Sequence, residues 1–441
     1  MQFFSDFGAT LEQRWRDKNY DESIFPAMAE EALVAADPLG SIDPWDILRD
    51  LHTSAELPGQ QENDFSDLPL TVYRSARFFI EVYYWMDGTT SLHQHGFSGA
   101  FQVFLGSSLH SQYAFENERK INPHFSVGEV KLKDVQLLER GAIRRILPGR
   151  PFIHSLFHLD RPSATITVRT YNDPASQPQF DYLTPHIAIN PFFKEPSIMK
   201  KMQSAMLLLR TEHPRADELI GELLTVSDFQ TSFAVLKEVY KFLHGNAPRL
   251  KPNQDGHNSG AERFLRYLEV ARGRHGELVS FLPPVLEEFE RKSKLIERRR
   301  FVMGREHRFF LALLLNVPDK SRILELIGQR FPAREPVETV CEWVQELAGI
   351  KMSPSKADDG NGKGGFSSVQ MFVLRRILEG FSMEEIKVAL EQEYRTDYEQ
   401  SLREEVEALL HFLQNSILKS LLFEPSHASR GEVSTQHQVA R

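Results

Sequence analysis

The chain has 441 residues, enough for two or three domains and a sizeable buried core. Its 52 Lys and Arg stand against 61 Asp and Glu, a net charge of −9, which argues against nucleic acid and anionic membrane surfaces as partners. A single cysteine, Cys341, excludes an internal disulfide and a cysteine-rich zinc site.

The opening MQFFSDFGATLEQRWRDKNYDE carries early acids and no apolar h-region, so no secretory leader is expected. The longest apolar run, FFLALLLNV at residues 309–317, is too short to span a bilayer, and a cytoplasmic protein is the expectation. Residues 1–60 read as short helices, with FPAMAEEALVAA and DPWDILRDLH in helical spacing between Pro and Gly. From about residue 70 to 171 the rhythm changes to period two. TVYRSARFFIEVYYWM, FQVFLG, LHSQYAFE, FSVGEVKL, IRRIL and SATITVRTY read as short strands separated by turn residues. Such spacing suggests a sandwich or barrel. Beyond the Pro-rich TPHIAINPFFKEP the pattern is helical, from MKKMQSAMLLLRTE through EHRFFLALLLNV to YEQSLREEVEALLHFLQNSILKSLL. KPNQDGHNSG and SPSKADDGNGKGG read as loops, and the tail from Glu424 as disordered. The expected layout is a helical lead-in (1–60), a β-barrel (61–195), an α-helical domain or domains (196–423) and a disordered tail (424–441).

Within the strand region, SLHQHGFSGAF places His93 and His95 one residue apart, where an extended chain points both imidazoles the same way. A metal site needs a third ligand from elsewhere. Gly141, then Pro148–Gly149, then His154 reads as a strand, a tight turn and a returning strand that presents one imidazole. His158 shares the face of His154 but stands about 13 Å along the strand, which suits a residue that lines the pocket or supports the ligands rather than a ligand itself. His110 and His124 read as ordinary surface histidines. Thr165, Thr167, Arg169 and Tyr171 share one face of their strand, opposite Ala164, Ile166 and Val168, as in a strand that lines a cavity.

DGTTSLHQH with Gly88, His93 and His95, followed by Gly141, Pro148–Gly149 and His154, resembles the two-part signature of the cupin jelly-roll barrels. The resemblance covers residues of about 70 to 175, roughly a quarter of the chain. It implies an α+β multidomain fold: a cupin barrel with N-terminal helices, then a large all-α region. The window where many cupins carry a glutamate holds Gly99, Ala100 and Phe101 here, so the implied site is three neutral histidines. Such a centre leaves the cation's charge uncompensated and favours an anionic ligand plus dioxygen. YYWMDGTTSLHQHGFSGAFQVFLG and TVRTYNDP are similar to the thiol dioxygenases, cysteine dioxygenase in particular. That likeness implies Fe(II), or another divalent metal, on His93, His95 and His154, with Tyr171 as the active-site tyrosine and Arg74 as a candidate for the substrate carboxylate.

Three departures matter. Arg169 stands where the family has a histidine, and Thr167 where it has a serine; Ala100 stands where some relatives have a cysteine that cross-links to the tyrosine. An arginine cannot relay a proton as a neutral base, but it binds an anion, so Arg169 is a candidate in catalysis and in substrate binding. Two functions therefore stay open: a cupin dioxygenase of a small anionic substrate, such as a thiol, and a non-catalytic cupin that senses a small molecule. In the second case the helical region would be the scaffold for a protein partner. RKSKLIERRRFVMGREHR at residues 291–308 is basic, and KSRILELIGQRF with PVETVCEWVQELAGI resembles a helix-turn-helix, but the acidic total and the lack of interleaved aromatics argue against nucleic acid.

Overall fold

The computed structural model describes residues 1–245, 260–349, 365–394 and 400–422; the two glycine-rich loops up to residues 259 and 364, and the tail, lie outside them. The described chain divides into two compact units, Met1–Ser293 and Lys294–Arg441.

The first unit opens on helices α1 (Gln2–Arg16), α2 (Phe25–Ala36), α3 (Pro38–Ser41) and α4 (Pro44–Thr53). Asp43 caps α4 by accepting from the Trp45 amide, with Pro44 in the first turn where its missing N–H costs nothing. Eleven strands follow: β1 (Leu68–Arg74), β2 (Phe78–Trp85), β3 (His93–His95), β4 (Gly99–Leu105), β5 (Ser108–Asn122), β6 (Phe125–Leu138), β7 (Ile143–Ile146), β8 (Gly149–His158), β9 (Ser163–Thr170), β10 (Asp181–Leu183) and β11 (Ile187–Ile189). They form a five-stranded sheet in the order β1-β2-β9-β4-β7 and a closed ring in the order β10-β11-β6-β5-β8-β3. This is a cupin-like β-barrel with N-terminal helices and a large helical C-terminal region.

Side chains alternate across each strand, and both faces of the five-stranded sheet are covered. Ile80, Val82, Ala164, Ile166, Val168 and Phe104 pack outward against Phe4, Leu11, Trp15, Phe25 and Leu33 of α1 and α2. The opposite face of the same strands looks into the barrel, where Phe97, Phe101, Val103, Leu138, Ile146, Phe152 and Leu156 form a second cluster. Double coverage explains why every residue of β2 is buried although its sequence does not alternate cleanly. Gly99 is required by packing: a Cβ there would lie 2.0 Å from the Val168 carbonyl oxygen of the paired β9. Gly149 opens β8 at φ +72°, a left-handed conformation that favours glycine.

The short β10 and β11 fall in a stretch whose Pro content hid them from sequence reading; β10 closes the ring beside His93 of β3. Helices α5 (Pro196–Arg210), α6 (Ala216–Val226), α7 (Phe229–Gly245), α8 (Gly260–His275) and α9 (Leu282–Arg299) follow. Residues of α5 through α9 share one core with Phe125, Val127 and Ile187 of the strands. The second unit holds α10 (Arg305–Asn316), α11 (Lys320–Arg330), α12 (Pro336–Gly349), α13 (Ser368–Glu379), α14 (Met383–Tyr394) and α15 (Gln400–Gln414). No helix among the described residues is long and apolar enough to cross a membrane.

Candidate metal centre

Strand pairing converts the two sequence fragments into one site. β3 runs antiparallel to β8 with His93 directly opposite His154, and an irregularity in the ladder then sets His95 opposite Gly149. One ring nitrogen from each of His93, His95 and His154 lies within 4.8 Å of the others, and all three residues are buried. The His95 and His154 Nε2 atoms are 2.8 Å apart. Two nitrogen ligands at right angles on a metal, each about 2.1 Å from it, stand about 3 Å apart, so the spacing fits a shared ion. His93 turns Nδ1 to the Ser91 carbonyl at 2.8 Å, which directs Nε2 to the centre. The group contains no carboxylate and no thiol, so it suits an imidazole-binding divalent transition metal rather than calcium or magnesium.

Burial holds all three imidazoles below their ordinary pKa; for His95 the neighbouring His93 and Arg169 push in the same direction, and for His154 His95 and His93 do. For His93 the Ser91 carbonyl and Asp181 oppose that push without reversing it. Burial thus favours the neutral imidazole, the form that donates a lone pair to a metal. Around them the barrel is aromatic. Phe97 and Phe152 flank His95, with ring centroids at 4.5 and 6.0 Å. Phe65 lies edge-on to His93 at 6.5 Å and to Tyr83 and Trp85 at 5.4 and 5.2 Å.

Arg169 is brought to this site. Its guanidinium sits 3.4 Å over the Phe97 ring and 5.0 Å over Phe79, and its charge bears on His95. The β2–β9 register sets Phe79, Glu81 and Tyr83 opposite Arg169, Thr167 and Thr165, so the polar file of β9 does line the interior. Arg74 and Tyr171 are brought to each other instead. The Tyr171 hydroxyl donates to the Ser75 carbonyl at 2.7 Å and accepts from Arg74 Nε at 3.0 Å. The Tyr171 ring also meets Phe79, 4.9 Å away.

Sequence reading missed Glu81, Tyr83 and Trp85, and misread two histidines. Glu81 is buried and accepts a short hydrogen bond from the Tyr83 hydroxyl, which burial keeps protonated; Thr71 and Asn63 also donate to Glu81. Trp85 stacks on His158 at 4.5 Å, and His158, itself buried, sets Nδ1 3.1 Å from Ser108 Oγ. The surface reading of His110 is corrected: the residue is buried, with Nε2 3.0 Å from His154 Nδ1. Its strand had no motif to mark it. His124 is half-buried, stacked on Phe193 at 3.8 Å, so it too is more than a surface residue.

A cavity of about 390 Å³ lies near the ring but on the other side of β3: Gln94 lines it, with Arg150, Gly149 and Gln177, while the flanking histidines do not.

No family model matches the chain, and no curated protein matches it. Among solved structures, it is similar to a hydroquinone 1,2-dioxygenase from Sphingomonas sp. TTNP3 with 4-hydroxybenzoate bound, at 14% identity over 25% of this chain and 69% of that one, with a TM-score of 0.20. It is also similar to a cupin-2 domain protein from Shewanella frigidimarina, at 10% identity over 30% and 96% of the two chains, TM-score 0.18. A third is the polyketide cyclase RemF of Streptomyces resistomycificus, at 14% identity over 30% and 77%, TM-score 0.19. Likeness of this degree assigns no activity. The strand topology and the histidine group by themselves define the class: a cupin-like barrel with a candidate three-histidine metal centre.

Proposed function

We propose that the barrel is a metal-dependent dioxygenase of cupin type, with Fe(II) held by His93, His95 and His154, acting on a small anionic substrate. The observation that carries this reading is the convergence of three buried, neutral imidazoles with no carboxylate among them. Iron bound there would supply the redox partner for dioxygen and an attachment point for the substrate.

The chain's own residues supply recognition. Arg169, fixed between Phe97 and Phe79, offers a cation to a substrate carboxylate, and a guanidinium half-sheltered by aromatic rings holds an anion more strongly than one in water. We assign Arg74 and Tyr171 to the outer end of the same file, where the Tyr171 ring and the Arg169 guanidinium both contact Phe79. The aromatic lining excludes water, which strengthens every charge interaction inside. We place a thiol first among substrates: R–SH and O₂ give R–SO₂H, with both oxygen atoms on sulfur, sulfur oxidised by four electrons and dioxygen reduced by four. A substrate and dioxygen are the partners this requires, and we propose a cytoplasmic setting for it.

The test is metal analysis of the purified chain followed by oxygen uptake against a panel of small thiols bearing a carboxylate. Bound iron, uptake with at least one thiol, and loss of both in His93→Ala are expected. A chain that holds no iron after anaerobic loading with Fe(II) overturns the reading. Tight binding of a panel member without oxygen uptake replaces it with a sensor.

A further inference from the structure

We infer that His110 is a positioning residue of the metal centre, holding His154 in the tautomer whose Nε2 lone pair faces the metal. The inference rests on the three-histidine reading above and extends it to a residue outside the ligand set.

The geometry comes from strand register. β5 pairs with β8 so that Gln112 is opposite His154 and His110 opposite Leu156, which makes His110 the diagonal neighbour of His154 on the same face. Its Nε2 is 3.0 Å from His154 Nδ1. Phe101, edge-on at 6.0 Å, and Phe152, at 5.7 Å, hold the His110 ring in place.

A neutral imidazole has two ring nitrogens and one proton. When His154 Nε2 gives its lone pair to a metal, the proton sits on Nδ1 and needs an acceptor. His110 Nε2 is the atom that faces it. His110 then carries its own proton on Nδ1, a buried atom with no hydrogen-bond partner. Without metal the opposite arrangement is the better one: His110 Nε2–H donates to His154 Nδ1, and His154 Nε2–H donates to His95 Nε2, 2.8 Å away. Metal entry therefore displaces the proton from His154 Nε2 and moves the shared proton from His110 Nε2 to His154 Nδ1, while His110 Nδ1 takes up one proton through solvent in exchange for the one displaced. The pair holds two protons before and after. A ligand histidine is commonly oriented by a carboxylate or a backbone carbonyl. An imidazole does the same work here without adding negative charge of its own to His154; the carboxylate that bears on the group is Asp181, opposite His93 on β10.

The test uses the full chain, freed of metal, with Co(II) as the affinity probe and Zn(II) as the diamagnetic one. His110→Ala is expected to weaken Co(II) binding 10–100-fold and to shift its visible d–d bands. His110→Gln, whose amide oxygen can accept from His154 Nδ1, is expected to restore most of both. Long-range ¹H–¹⁵N spectra of the histidine-labelled wild type are expected to put the His110 proton on Nε2 without metal and on Nδ1 with Zn(II). Wild-type affinity and spectrum in His110→Ala overturn the assignment, as does a folded His110→Gln no better than alanine, or a His110 proton that stays on Nε2 in the Zn(II) form. The spectra need no variant, so a His110→Ala chain that does not fold leaves the question decidable. If wild type takes up no Co(II), or His93→Ala takes it up equally well, the metal reading itself falls and this inference with it.

Discussion

The barrel interior and the helical unit Lys294–Arg441 both bury polar side chains, but they use them in opposite ways. In the barrel the buried imidazoles of His93, His95 and His154 converge on one point, and a fourth, His110, backs the group. In the helical unit the buried or half-buried cations are dispersed, each tied to a different part of the scaffold. Lys320 donates to the Ile377 carbonyl near the end of α13 at 2.5 Å, and Arg298 donates to the Leu347 carbonyl near the end of α12 at 2.5 Å. These are favourable places for a cation, because helix C-termini carry unsatisfied carbonyls and the negative end of the dipole. Arg334 bridges Glu306 and Glu342, and Arg330 lies 4.9 Å over Phe309. Buried polarity marks a site only where several groups aim at the same empty point; elsewhere it holds helices together. Much of the basic run at residues 291–308 is held the same way: Arg291 pairs with Glu288, and Arg299 and Arg308 are buried, which weakens a nucleic-acid reading.

The sharpest way to break this contrast is to remove one ligand. His93→Ala should drop metal stoichiometry from near one per chain to near zero, read by elemental analysis, because two imidazoles alone hold a divalent ion poorly. Unchanged stoichiometry would mean the convergence has no ligand. The complementary change is in the helical unit. Every residue of α10 from Arg308 to Asn316 is buried, so Leu313→Ala opens a cavity with little room to relax. A loss of about 2–5 kcal/mol is expected in thermal or denaturant unfolding. Metal stoichiometry should stay at the wild-type value, since all the site residues belong to Met1–Ser293. Loss of metal in the helical variant would end the separation of roles.

How far these features could be read from the sequence follows from their range. The HxH pair and the strand-turn-strand around Pro148–Gly149 are local patterns, and period two put their side chains on the correct face. The helical stretches were legible for the same reason, although α6 and α14 were not singled out. His110 was not, because its partner is 44 residues away and only the β5–β8 register makes them neighbours. Glu81 and Tyr83 hid in a strand buried on both faces, where alternation no longer separates inside from outside. Their pairing partners across β9, Thr167 and Thr165, were the only clue, and one that pairing alone could supply.

A smaller effect tests recognition apart from metal. Arg169→Gln removes the cation but keeps hydrogen-bonding capacity, so metal content should be unchanged while KM for a carboxylate-bearing substrate rises about 10–100-fold. A neutral analogue should be little affected. Arg169→Lys should recover only part of the loss, since an ammonium has no planar fork to set over Phe97, where the guanidinium carbon stands at 3.4 Å. Equal KM values in all three chains would remove Arg169 from substrate binding and leave its aromatic contacts as packing.

The smallest effect is expected at Cys341, the one thiol of a chain proposed to oxidise thiols. It sits in α12 among Val340, Trp343 and Val344, and burial pushes its pKa up to about 11. Alkylation and oxidation both run through the thiolate, and raising the pKa keeps the proton on sulfur at pH 8, where an ordinary cysteine of pKa about 8.5 is already partly ionised. Native chain should therefore react with iodoacetamide about two orders of magnitude more slowly than denatured chain, with Cys341→Ala leaving metal stoichiometry and turnover unchanged. The sign is specific: a raised thiol pKa protects below about pH 9 and fails progressively as the pH climbs toward 11, so the protection ratio should shrink in that window. Fast alkylation at pH 8 would show the α12 core to be open, and the helical unit would then hold a reactive group that its packing is argued to bury.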